Sequence, residues 1–164
     1  MENKPEITNG TLIVDSREKW TQSGYRDKHI RSYLERHKIP FVVRKLAVGD
    51  YMIFGGSVSV DRKHSLEEIS RNLTNPSDKK RFLNEVRLAH RLGVRLVVLI
   101  ESNTYHDVYS LREWHSKYSP VRGTVLIRQM ERLCYAYGVQ FIFCHKKSVA
   151  KRILEILGIE VAGK

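Results

Sequence analysis

Cysteine is nearly absent from this 164-residue chain: Cys134 and Cys144 are the only two. One pair builds no disulfide framework, so a reducing compartment, cytoplasm or nucleus, is the expected setting. Cys144-His145 invites a zinc reading, but no second Cys/His pair stands at ligand spacing, and burial is the expected fate of both thiols. Long apolar runs are missing too. None approaches the ~20 residues of a membrane span, and Met1–Gly10 is too polar for a secretory signal. Internal repeats and low-complexity linkers are also lacking, which leaves a single domain with its core over residues 11–157.

Acidic residues are the scarcer charge, 18 against 29 Lys and Arg, for a formal net charge of +11. The excess points to a polyanion, because cations laid on nucleic acid release its condensed counterions. A basic surface with no specific partner is the alternative. No motif that reads bases is present, so phosphate contacts and DNA shape would dominate recognition.

The pattern of elements is α/β. Thr11–Val14 reads as a strand running into Asp15, and Tyr25–His37 as a helix with Pro40 beyond its end. Phe41–Val48 reads as a further strand. Tyr51–Phe54 and Val58–Val60 flank Gly55-Gly56, a hairpin signal. Ser65 with Glu68 opens a capped helix to Leu73, and Asn75-Pro76-Ser77-Asp78 leads into a helix over Lys79–Leu92. Leu96–Ile100 is a strand buried on both sides. Val121–Tyr137 is a helix, Phe141–Phe143 a strand, and Ser148 caps a last helix to Leu157, with a frayed tail after it. Asn103–Ser119 carries no clear periodicity. Its Tyr105, Tyr109, Trp114 and Tyr118 either stack on unpaired bases or pack in the core.

Chemistry concentrates on the hairpin. If the turn centres on Gly55-Gly56, Asp50 stands across from Asp61, and facing Cβ atoms on paired strands are about 5 Å apart. Alternation puts Tyr51, Ile53, Val58 and Val60 on one face and Asp50, Asp61 and Lys63 on the other. Two opposed carboxylates repel unless a cation sits between them. Mg²⁺ takes one or two carboxylates and completes its shell with water or phosphate oxygens, and Lys63 would offset charge on a reacting phosphate. The alternative is two solvated acids at strand ends, and a loop of odd length would turn Asp50 to the other face. Asp15 and Glu101 at strand ends, Glu67 in the first turn of the Ser65 helix, and more weakly Glu18, are further candidate acids. Glu68 is accounted for as the capping partner of Ser65.

These residues resemble a known family. Asp50…Asp61-Arg62-Lys63 follows the acid…acid-x-Lys signature of restriction-endonuclease-like nucleases. Gly49-Asp50, the hairpin, Asp61-Arg62-Lys63 and Glu67 resemble the pattern of the XPF/Hef structure-selective endonucleases: Gly-Asp, hairpin, Glu-Arg-Lys, three residues, Asp. Val14-Asp15-Ser16-Arg17-Glu18 is similar to that group's first strand, and Arg81 with Leu99-Ile100-Glu101 to its Arg…Leu-Ile-Glu segment. Asp61 stands where Glu is usual and Glu67 where Asp is usual, each keeping the charge. The helix-hairpin-helix and helicase domains of many relatives are not expected in this chain.

The resemblance implies a central mixed sheet, its hairpin carrying the active site, flanked by helices on both faces in the restriction-endonuclease-like manner. It implies DNA hydrolysis with Mg²⁺ or Mn²⁺ near a single-strand/double-strand junction, by a homodimer, away from membranes. Asp15, Asp50 and Asp61 would hold metal, Lys63 would position water or phosphate, and Arg62 and Glu67 would complete or brace the site. Arg17 and Arg81 would bind phosphate or pair with the acids. Lys79 and Lys80, nearest the hairpin among the outlying basic residues, extend the expected DNA contact. A catalytically silent DNA-binding subunit of the same fold, or a nuclease of plain duplex, are the competing readings.

Overall fold

A computed structural model describes residues 6–22 and 28–162. Strands β1 (Leu12–Asp15), β2 (Phe41–Arg44), β3 (Tyr51–Ile53), β4 (Val58–Lys63), β5 (Arg95–Glu101) and β6 (Gln140–Cys144) form one sheet in the order β2-β1-β3-β4-β5-β6. β3 runs antiparallel to β1 and β4, whereas the β1·β2, β4·β5 and β5·β6 pairs are parallel. The sheet is therefore mixed, with one short reversed strand at its centre.

Helices α1 (His29–Arg36), α2 (Leu66–Thr74), α3 (Pro76–Arg91), α4 (Gly123–Tyr137) and α5 (Val149–Leu157) cover both faces. On one face Val98 and Ile100 pack with Ile69, Phe82, Val86, Leu126 and Met130 of α2, α3 and α4. On the other, Val14, Tyr51, Val60 and Leu99 pack with Ile30 and Leu34 of α1 and Ile153 and Leu154 of α5. Successive residues of β5 thus enter different cores, which is why its run is apolar without alternation. Each fully buried leucine or isoleucine there contributes about 1.5–3 kcal/mol.

The capping expectations hold for two helices. Ser65 Oγ accepts the Glu68 N–H at 3.2 Å, and Glu68 returns a bond to the His64 N–H at 2.8 Å. Asn75 Oδ1 accepts the Asp78 N–H at 3.3 Å, and Pro76 opens α3 where its missing N–H costs nothing, three residues before the expected start.

Other expectations change. β2 stops at Arg44, and Val48 turns alone into the α2–α4 core. The first helix begins at His29; the expected start at Tyr25 lies outside the described residues. Ser148 makes no side-chain cap, and instead His145 accepts the Lys147 N–H at 3.2 Å. The tail is not frayed along its described part: Ile159 bonds Leu154 O at 2.9 Å, and Ile159 and Val161 pack on the α1–α5 core. Cys134 is exposed, not buried. In the stretch after β5, Leu111 and Trp114 are buried, whereas Tyr109 and Tyr118 are exposed.

Candidate active site

The hairpin pairs in the expected register, Tyr51 with Val60 and Met52 with Ser59. Its corner lies one residue earlier than expected, because the Gly56 N–H closes on Ile53 O at 2.8 Å and puts Phe54-Gly55 at the turn. At the open end the ladder departs from simple pairing. The Asp50 N–H bonds Val60 O at 2.7 Å, so Asp50 and Tyr51 both lie against Val60, as in a bulge. The Asp50 carboxylate then accepts the Arg62 N–H at 2.8 Å, standing in for a strand carbonyl.

Gly49 makes this approach possible. Its φ is 72°, and a Cβ at that position would lie 2.1 Å from Ser59 Oγ. Its N–H donates to Glu85 Oε1 at 2.7 Å, tying the hairpin to α3.

Asp61 and Lys63 stand two apart on β4 and share the face toward α3. Lys63 Nζ lies 3.0 Å from Asp61 Oδ2 and 5.2 Å from the Phe82 ring centre. The Lys63 ammonium is thus the counter-charge of a buried Asp61 oxygen. Burial pushes the Asp50 carboxyl well above its usual range, and the charges of Asp61 and Glu18 push it the same way. Burial and then Asp61 also raise the Glu85 carboxyl. Burial opposes the Lys63 charge, but Asp61 outweighs it and the ammonium is held more firmly protonated.

Arg62 points through the sheet to the other face. Its Nη1 reaches Glu18 Oε2 at 3.2 Å and its Nη2 reaches Glu101 Oε1 at 2.9 Å, all three side chains being buried. The Tyr51 hydroxyl donates to the same Glu18 oxygen, which Trp20 Nε1 approaches to 3.1 Å. Burial works against the guanidinium charge, and the flanking glutamates outweigh it. Removing Arg62 would strand two buried carboxylates, a loss of roughly 3–5 kcal/mol. Arg62 is a brace: its backbone positions Asp50 while its side chain is spent in the core.

A cleft of about 460 Å³ opens beside the acids, with Arg17, Lys63, Asp78, Arg81 and Glu85 among its walls. The cleft thus brings Arg17, Lys63 and Arg81 together with Asp78 and Glu85, and Asp61 adjoins it through Lys63, 3.0 Å from its Oδ2. Asp15, expected as a ligand, and Glu67, expected to complete or brace the site, have other partners. Asp15 is fully buried, and its oxygens accept from Arg17 N (2.7 Å), Arg17 Nε (2.8 Å), Arg17 Nη2 (3.0 Å) and Leu46 N (2.7 Å). Those four donors outweigh burial and lower its pKa, leaving no lone pair directed at a cation. Glu67 turns away from the hairpin to Ser116 Oγ at 2.7 Å and the Lys117 N–H at 2.8 Å. Lys79 and Lys80 do not line the cleft, although Arg81 does, in an ion pair with Asp78.

Glu85 is the residue that sequence reading missed. Arg81, Glu85 and Leu88 recur at i, i+4 and i+7, which marks one face of α3, and all three line the cleft. Nothing in the local pattern said that this face would meet Gly49.

The ERCC4 domain family matches residues 14–157. No curated protein matches. Among solved structures, XPF from Aeropyrum pernix is similar over 90% of this chain and 63% of that one, with 19% identity and a TM-score of 0.65. This chain therefore spans less than two thirds of that relative's length. The shared architecture is the restriction-endonuclease-like mixed sheet with helices on both faces. The match along nearly the whole sheet and its helices makes this chain a member of the ERCC4 family, an XPF-type nuclease domain.

Proposed function

We propose that the domain is a Mg²⁺-dependent endonuclease, with Mn²⁺ able to substitute, that hydrolyses DNA phosphodiesters at branched sites such as flaps, forks or junctions. One observation carries the reading. Asp50 and Asp61 crowd their charges beside the ammonium of Lys63, which itself lines a cleft with Arg17 and Arg81.

The donor set fits a hard divalent ion. Among the described residues no three His, Cys, Asp or Glu side chains form a ready ligand group. Mg²⁺ does not require one, since it commonly takes one or two carboxylates and keeps several waters. Asp50 and Asp61 would hold it. When bound, the ion supplies charge to the phosphate and acidifies the attacking water. Lys63 is placed to offset charge that develops on the phosphate oxygens, its ammonium already fixed by Asp61. Arg17, clamped by Asp15, and Arg81 offer guanidinium groups to flanking phosphates. Glu85, bonded to Gly49, braces the loop that carries Asp50. By the same family likeness the domain works as a homodimer.

Wild type and Asp61→Ala, assayed on flap, fork, junction and linear duplex with and without Mg²⁺, test the reading. Wild type should cut branched DNA only with metal, and Asp61→Ala should bind but lose on the order of 10³-fold in rate. Binding without cutting by wild type would instead identify a silent subunit, as the fully engaged Asp15 would suit. Equal cutting of linear duplex would remove the branched preference.

A further inference from the structure

A second cleft, of about 450 Å³, lies across the sheet from the first, among His29, Arg36, His64, Glu101, Lys146 and Lys147. Its one carboxylate is not a free charge, because Glu101 is buried against Arg62 Nη2 at 2.9 Å. The balance left facing the opening is cationic. Lys146 and Lys147 are exposed, and Arg36 and His64 come from α1 and from the end of β4. His64 Nδ1 lies 3.9 Å from Glu101 Oε2, and an imidazole carries an N–H donor in either charge state.

Its position relates it to the active site. Lys63 lines the first cleft and the next residue, His64, lines the second. Adjacent residues at the end of one strand point to opposite faces, so the two clefts open on either side of the same sheet edge. Behind the second cleft stands Glu101, paired to Arg62, whose own N–H fixes Asp50. A nucleic-acid strand crossing the carboxyl edge of β4 and β5 would leave one cationic cleft and enter the other.

We propose that the cleft between α1 and the start of α5 is a second phosphate subsite, which grips a backbone phosphodiester of the DNA strand away from the scissile bond. The inference rests on the nuclease reading, since the ligand is the same strand. No base edge is read there; the cationic groups and N–H donors select phosphate alone.

The test is DNA binding in EDTA, read by fluorescence anisotropy across a salt series. Lys146→Ala/Lys147→Ala removes exposed side chains that make no core contact, and Arg91→Ala/Arg95→Ala removes equal charge away from this cleft. The first pair should weaken binding about tenfold and flatten the slope of log K against log salt by about 1–2. The control pair should leave the slope unchanged. In wild type, a neutral methylphosphonate linkage scanned along the strand should weaken binding at one position outside the scissile phosphate. In Lys146→Ala/Lys147→Ala that position should lose its effect. If both pairs weaken binding alike, or no such position exists while wild type binds and cuts, the subsite is refuted and the nuclease reading stands. If wild type neither binds nor cuts DNA, the nuclease reading fails first.

Discussion

At the scale of single residues, the site is set by where negative charge is left without a counterweight. Asp15 and Asp50 are both strand-end aspartates, and their neighbours give them opposite fates. Asp15 receives four donors that outweigh its burial, and its pKa falls; Asp50 is raised first by burial and then by Asp61 and Glu18, which together outweigh the Arg62 N–H and the Lys63 charge. A carboxyl raised in the folded state favours folding when protonated. That contribution is complete below the unfolded value and is lost as pH climbs through the folded one. Asp50→Asn should therefore raise the melting temperature of the metal-free protein at neutral pH, by roughly 1–2 kcal/mol of stability, and flatten its decline with pH. Added Mg²⁺ should stabilise wild type and have no effect on the variant, since only binding to the folded state shifts the transition. Thermal melts in EDTA and in Mg²⁺ read both effects, and a destabilised Asn variant would count against the charge-crowded site.

At the scale of elements, two close approaches without side chains position the sheet edge that carries the hairpin acids. Gly49 lets its loop lie on Ser59, and Gly123 lets the start of α4 sit on the turn at Leu111. A Cβ at Gly123 would fall 1.6 Å from Leu111 O and 3.1 Å from Trp114 O, both backbone atoms that cannot swing aside. The same turn leads to Ser116 and Lys117, which hold Glu67. Gly123→Ala should thus cost about 3 kcal/mol, the upper end of the usual overpacking penalty, because the clashing atoms are backbone. Denaturant unfolding measures it, and a loss under about 0.5 kcal/mol would mean α4 docks elsewhere. Glu67 shows why spacing alone misled. It falls in the first turn of α2 as expected, but the turn after Trp114 reaches it before the hairpin does.

At the scale of the whole molecule, part of the excess of basic residues falls on two clefts at opposite faces of one sheet edge, Arg17, Lys63 and Arg81 in one and Arg36, Lys146 and Lys147 in the other. A duplex branching over that edge would meet cations on both sides, which suits forked DNA better than a straight rod. Dimer formation would place two such edges on one substrate. α4 offers Val125 and the almost fully exposed Tyr135 to solvent, whereas the apolar residues of α5 are consumed by its own core. The dimer should therefore form through α4 and show twice the 19.2 kDa chain mass by light scattering at micromolar protein. Tyr135→Asp should return it to one chain mass without unfolding it. A wild-type monomer would dismiss the assembly and leave the fold untouched.

The linear order of residues was sufficient for whatever depends on near neighbours. Period-two alternation and a glycine pair paired β3 with β4 in register, and caps marked α2 and α3. These signals are local because hydrogen bonding across a tight turn and along a helix is local. Tertiary structure decided which acids stay available. That outcome depends on which donor arrives in space: Arg17 and Leu46 at Asp15, Ser116 and Lys117 at Glu67, and Gly49 at Glu85, the last 36 residues apart in the chain. A carboxylate binds a cation only where stronger partners have not filled its lone pairs, and that competition is settled only when distant segments pack.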